Sequence, residues 1–156
     1  MKKILIIPEL GNITECLSLS EKYSLGFEYN DFFYPAILDE KSASESIISS
    51  YKKNTLPDYC TSHGAFFDVI PFSPDGRIKE ISLLRIDQSI DIAKSIGASA
   101  VVFHTNYNPF LNSEKYISDW IDDNVEIWGK IIDNNKDMTI YLENMFDTSP
   151  DILCSL

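Results

Sequence analysis

Four residues of this sequence are best placed to do chemistry: His63, His104, Glu28 and Glu143. Each closes a short apolar run. "ASAVVFH" ends on His104, "TIYLE" on Glu143, "DYCTSH" on His63 and "GFE" on Glu28, and the chain has only these 2 histidines. If the runs are strands of one parallel sheet, their carboxyl ends share a rim, which is where parallel α/β folds bind ligands. Imidazole nitrogens and carboxylate oxygens held together on rigid elements form a donor set for a divalent transition metal. The signal is positional, because neither histidine belongs to an HExxH segment.

Each residue also has a purely structural explanation. His63 could serve only to hydrogen-bond the turn at Gly64, and His104 could be a satisfied core histidine. Glu28, within "FEYND", could face the rim, a helix or solvent. Glu143 follows "TIYL", where burial is expected, and an unpaired buried carboxylate is costly. It should therefore sit beside a cation, a metal or a proton.

The elements that must position these residues alternate regularly. Lys3–Ile7 reads as a first strand, followed by a helix through "TECLSLSEKYSL" with Gly26 as its C-cap. "GFEYN" is a second strand, and Phe32, Phe33, Tyr34 and Pro35 form an aromatic loop. "SASESIISSYKKN" is a helix opened by N-cap serines, and "DYCTSHGAFF" is the third strand. "SPDGRIKEISLLRIDQSIDIAKSIG" places Leu83, Ile86, Ile90 and Ala93 on one helical face before Gly97 stops it. After "ASAVVFH", the helix "SEKYISDWIDDNVEIWGKIIDNN" carries Ile117, Trp120, Ile121, Val125, Trp128, Ile131 and Ile132 on a core-facing stripe. Its Asp119, Asp122 and Asp123 read as a solvated face. "MTIYLEN" is a fifth strand, and Ser149 with Pro150 begins a short last helix. Strands alternating with helices predict a parallel sheet of right-handed βαβ units, in a single domain over residues 1–156.

Composition narrows the function. With 156 residues, 44% of them hydrophobic, the chain can bury a sizeable core. A formal net charge of −11 opposes general affinity for nucleic acid or an anionic membrane. Cys16, Cys60 and Cys154 are odd in number and widely spaced, with no CxxC pair. They offer neither a disulfide framework nor a zinc knuckle, and read as reduced, mostly buried thiols of a cytoplasmic protein. "MKKILIIPEL" is interrupted too early by Pro8 and Glu9 to be a signal peptide.

The segment "SHGAFFDVIPFSPDGRIKEISLLRIDQSIDIAKSIGASAVVFHTNYNP", followed by "YLEN", resembles the xylose isomerase-like TIM barrels. The matching pieces are His63-Gly64 at the third strand end, "IGASAVVFH" with "YNP" at the fourth, and Glu143-Asn144 at the fifth. That superfamily contains sugar and sugar-phosphate isomerases and epimerases and also endonuclease IV. The resemblance implies an α/β fold of the (β/α)8 barrel type, here incomplete. About five βα units are present, whereas the full barrel needs around 250 residues. The chain is thus expected to be the N-terminal portion of such a barrel, without the later Asp, His and Glu ligands of the family.

Carried over to this sequence, the resemblance makes His63, His104 and Glu143 ligands of a divalent metal (Mn, Mg, Co or Zn), bound weakly or not at all by this chain alone. Glu143 would also be the acid/base carboxylate, with His63, His104, Glu28 and Asn144 lining the substrate pocket. Three functions follow as expectations. The first is a sugar or sugar-phosphate isomerase or epimerase, moving a proton next to a carbonyl with the help of a divalent metal. The second is an endonuclease IV-like zinc phosphodiesterase, and the third is a non-catalytic fragment or binding module. The acidic charge favours the first over the second. Open edges at the first and fifth strands predict a homo-oligomer.

Overall fold

In the computed structural model, which describes residues 4–147 and 149–156, five parallel strands lie side by side in chain order. They are β1 (Leu5–Ile6), β2 (Gly26–Tyr29), β3 (Cys60–His63), β4 (Ala100–His104) and β5 (Thr139–Glu143). The crossovers between parallel strands carry helices α1 (Ile13–Tyr23), α2 (Pro35–Asp39), α3 (Lys41–Lys52), α4 (Gly76–Ile96) and α5 (Glu114–Asn134). The sheet does not close on itself, and β1 and β5 are its edges. The fold is the expected open α/β barrel segment.

Side chains alternate across a strand, so the register decides which residues share a face. Glu28 pairs with Thr61, His63 with Val102 and His104 with Glu143. These six therefore stand on the face away from the helices. The opposite face carries Phe27, Tyr29, Val101 and Phe103, all fully buried against Ile86, Ile90, Ile127 and Trp128 of the helices. Each such side chain contributes roughly 1.5–3 kcal/mol of burial at most. That packing fixes the sheet on which the polar face is displayed.

Helix α4 forms as its sequence predicts. The Asp75 carboxylate caps it by accepting from the Arg77 backbone N–H at 2.9 Å. Gly97, at φ 86°, takes the left-handed conformation that ends it. Ile86, Ile90 and Ala93 are buried, and Leu83 packs at the margin of the core. Among the described residues no helix is long and apolar enough to cross a membrane. Cys16 and Cys60 are buried and Cys154 is exposed, all three as free thiols.

Several expectations are corrected. Strand β1 covers only Leu5–Ile6, and the Lys3 end of the expected strand lies outside the described residues. Ile7 is exposed, and Pro8 after it has no N–H to extend a ladder. Gly26 does not cap α1; Ser24 does, at φ 56°. Gly26 opens β2 instead, where a Cβ would lie 2.4 Å from the Tyr59 carbonyl oxygen and 2.5 Å from Leu5 Cδ2. A close approach between strands explains this glycine. Helix α3 begins at Lys41 after Glu40, so the serines lie inside it, and Ser44 Oγ bonds the Lys41 carbonyl at 3.0 Å. Pro35 does not belong to a loop but starts α2, since its fixed φ suits the first helical position.

On α5, Val125 and Ile132 are exposed, and Asn124 and Ile127 take their places beside Trp120, Trp128 and Ile131. Asn124 can be buried because its amide is satisfied: Nδ2 donates to the Trp120 carbonyl at 2.7 Å and Oδ1 accepts from Trp128 Nε1 at 3.1 Å. Asp119, Asp122 and Asp123 are exposed as expected. After Ser149 and Pro150 only a 3-10 turn forms, Leu153–Ser155, since so short a segment cannot sustain an α-helix alone.

Candidate metal centre

His63 and His104 end β3 and β4, and Glu143 ends β5. The three residues come together on the open face of the sheet. His63 Nε2 lies 3.2 Å from His104 Nε2 and 3.9 Å from Glu143 Oε2, and His104 Nε2 lies 3.3 Å from that same oxygen. All three donor atoms fall within 4.8 Å of one another. The expected convergence on one rim is therefore present in the geometry.

The backbone sets the histidine protonation. His63 Nδ1 lies 2.9 Å from the Gly64 carbonyl oxygen. A carbonyl can only accept, so Nδ1 carries the proton and Nε2 presents a lone pair to the other two residues. His104 Nε2–H then donates towards His63 Nε2 and Glu143 Oε2, and its buried Nδ1 has no hydrogen-bond partner among the described residues. Burial, reinforced by the His63 ring, lowers the His104 pKa, and the Glu143 carboxylate only partly offsets this. His104 is thus a neutral imidazole at neutral pH, the form that binds metals.

Two nitrogens with one carboxylate oxygen, aimed at a common point, fit a divalent cation. To hold a cation through Nε2, His104 would carry its proton on Nδ1, the ring nitrogen that has no partner among the described residues. Three protein ligands also leave coordination positions open, as catalytic sites require.

The remaining candidates lie apart from this group. Glu28 is on the same face but lower, at the level of Thr61, whose Oγ1 donates to Glu28 Oε2 at 3.2 Å. Asn144 is exposed just past the end of β5. The expected burial of Glu143 is not observed, since its side chain is 54% exposed. It lies on the edge strand, where no further strand covers it. Of the expected partners it has a proton, since His104 Nε2–H donates towards its Oε2.

The turn at Gly64 was expected as a hydrogen-bond partner of His63, and Phe66 was missed in the sequence. Gly64 holds the His63 proton through its carbonyl, and a Cβ on it would strike the Phe103 ring at 2.3 Å. Phe66 packs against both imidazoles, with ring centroids 5.2 Å from His63 and 5.0 Å from His104. The "HGAFF" segment held the signal for both, because residues just past a strand end necessarily border the rim.

The model of the xylose isomerase-like TIM barrel family matches residues 23–154. The chain belongs to that family. The family is commonly metal-dependent, and this chain has a His/His/Glu group that could hold a metal. Two solved structures share the fold. One is the TTHB071 protein from Thermus thermophilus, soaked with ZnCl2, with a TM-score of 0.71 and 20% identity over 98% of this chain. The other is a D-tagatose 3-epimerase-like protein, with a TM-score of 0.70 and 18% identity over 99% of this chain. This xylose isomerase-like chain spans only 61% and 59% of their respective lengths. No curated protein matches the sequence.

Proposed function

We propose that this chain supplies the His63–His104–Glu143 part of a sugar isomerase or epimerase site, within the N-terminal portion of a (β/α)8 barrel. The observation that carries the reading is the meeting of His63 Nε2, His104 Nε2 and Glu143 Oε2 at adjacent strand ends in a chain of the xylose isomerase-like family. A divalent ion (Mn, Mg, Co or Zn) held by these three would draw charge from a substrate carbonyl and acidify the neighbouring C–H. Glu143 takes that proton and returns it. It is the group of the three with a carboxylate base, and it faces open space rather than the core.

Without an ion, His104 Nε2–H holds Glu143 Oε2 in place, and the burial that lowers the His104 pKa keeps the ring neutral and ready to ligate. The rigid strand ends keep the three side chains in register for a substrate approaching the open face. A cleft of about 620 Å³ lies along the loops that follow His104 and Glu143, lined by Tyr107, Pro109, Phe110 and Phe146. Glu28 and Asn144 are the polar groups in reach of substrate hydroxyls in this reading, and the free buried thiols of Cys16 and Cys60 fit a cytoplasmic setting.

Cobalt(II) competition with a coloured chelator tests the site in the 156-residue chain. We expect weak binding that falls at least about tenfold in His63→Ala and in His104→Ala, since each removes a ligand. Unchanged affinity in both variants would remove the metal site. In a longer protein carrying the remaining barrel strands, a ketose incubated in D2O should gain deuterium beside its carbonyl.

A further inference from the structure

The five loops that follow the strands form the rim around the candidate site: residues 7–12, 30–34, 64–75, 105–113 and 144–152. None contains a lysine or arginine, and neither does any strand. They do contain carboxylates, namely Glu9, Asp31, Asp68, Asp75, Asp147 and Asp151. All 13 Lys and Arg of the sequence lie elsewhere, in the helices, before β1 or in the helix-to-strand connections. A charge distribution this uneven sets the sign of the field over the site, not merely that of the whole chain.

The rim does carry aromatic rings. Phe33, Tyr34, Phe66 and Phe67 form one continuous wall from two loops, with Phe33–Tyr34 centroids 4.1 Å apart, Phe33–Phe66 4.9 Å and Phe66–Phe67 4.2 Å. Phe66 joins the wall to both site histidines. The far end is open to solvent, with Tyr34 53% and Phe67 52% exposed. Arg85, the cation bound to Asp39 of α2, forms two hydrogen bonds with that carboxylate and fastens the helix just after Tyr34, so it is already committed. The α4 N-terminus, which could otherwise receive an anion, is occupied by the Asp75 carboxylate.

We infer that this rim selects an uncharged sugar, laid with its C–H face on the Phe33–Tyr34–Phe66–Phe67 wall, and disfavours the phosphate ester of the same sugar. The electron-rich ring faces attract the weakly positive C–H groups of a sugar, and they exclude water from one side of it. A phosphate would enter among loop carboxylates, and the nearest cations in sequence, Arg77 and Lys115, belong to helices α4 and α5, Lys115 being paired with Asp119. The inference rests on the reading of the site as a sugar isomerase or epimerase site, and it narrows the substrate from sugars and sugar phosphates to neutral sugars.

Saturation-transfer NMR on the 156-residue chain with Mg²⁺ tests it, with D-fructose and D-fructose 6-phosphate as probes. Saturation of the aromatic protons should pass to the C–H protons of D-fructose and at least about tenfold less to the ester at low salt, with the gap narrowing as salt screens the carboxylates. Phe67→Lys removes an exposed ring and adds a cation, so the D-fructose signal should fall while the ester signal rises. Tyr34→Ser, also at an exposed position, should lower the D-fructose signal alone, and circular dichroism checks that both variants fold. Equal or stronger transfer to the ester in the wild type, or transfer to neither probe, overturns the inference. Failure of the metal reading shows separately, as cobalt affinity that does not change in His63→Ala and His104→Ala.

Discussion

His63 and Glu143 face each other on one sheet with only β4 between their strands, yet their surroundings differ sharply. His63 is 7% exposed, with one ring nitrogen on the Gly64 carbonyl and the other towards His104. Glu143 is more than half exposed and is held only through Oε2. The difference comes from position in the sheet. Central strands have neighbours on both sides and helices behind them, whereas an edge strand has one neighbour. A central residue can be held to a fixed geometry, and an edge residue is free to meet a substrate or a further strand. The division suits the proposed site, in which the histidine pair fixes the place and an exposed carboxylate moves the proton.

The largest expected effect tests the edge half of this contrast. Glu143→Gln keeps the shape and loses the base, so in a longer protein with activity turnover should fall by about 10²–10⁴-fold. The melting temperature of the 156-residue chain should hardly move, because its Glu143 side chain is exposed. Near-normal kcat would end the proposed role of Glu143.

The central half is tested by packing. Gly64→Ala forces a methyl group into the Phe103 ring and should cost roughly 1–3 kcal/mol, read as a lower urea midpoint. Gly129→Ala is the control, since a Cβ there meets nothing within 4 Å on a helix. It should raise stability by about 0.5–1 kcal/mol. If both alanines behave alike, the tight fit at His63 is wrong.

Association tests the edges themselves. Light scattering should show a dimer or larger species for the wild type, through the uncovered sides of β1 and β5. Tyr141→Lys, at a position 46% exposed on β5, should shift the population towards monomer. A wild type that stays monomeric across a wide concentration range would show that the open edges are already protected.

The smallest effect is a pH dependence away from the site. Burial raises the Asp31 pKa above its usual value, while the Tyr51 hydroxyl, which donates to Asp31 Oδ2 at 2.7 Å, partly counters the rise. The folded state therefore holds this proton more tightly than the unfolded chain does. The resulting stability is full below the unfolded pKa and is lost as pH rises through the folded one. Asp31→Asn should raise the melting temperature near neutral pH and leave it unchanged in strong acid. A gain of equal size at both would remove the ionisation argument.

The same contrast explains what the sequence made legible. The convergence of His63, His104 and Glu143 could be read because strand direction alone delivers strand-end residues to one rim. The exposure of Glu143 could not, because "TIYLE" looks the same in a central strand and at an edge, and only the sheet order tells them apart. Gly26 and Gly64 are alike in this respect: each is needed because a chain segment distant in sequence comes too close for a Cβ. Local patterns end helices correctly at Gly97, where the cause is local, and fail at Ser24, where a left-handed serine does the work of glycine. On α5 the helical period was right, but the choice of Asn124 over Val125 depended on two indole and carbonyl partners that spacing does not reveal.

The sheet order β1-β2-β3-β4-β5 repeats the order of the chain, and no pairing skips a strand. Within this sheet each strand after β1 therefore finds its earlier neighbour already made. Assembly can proceed by accretion, one strand and one helix at a time, with the newest strand always the exposed one. In that process His63 and His104 meet as soon as β4 docks, and Glu143 joins them with β5.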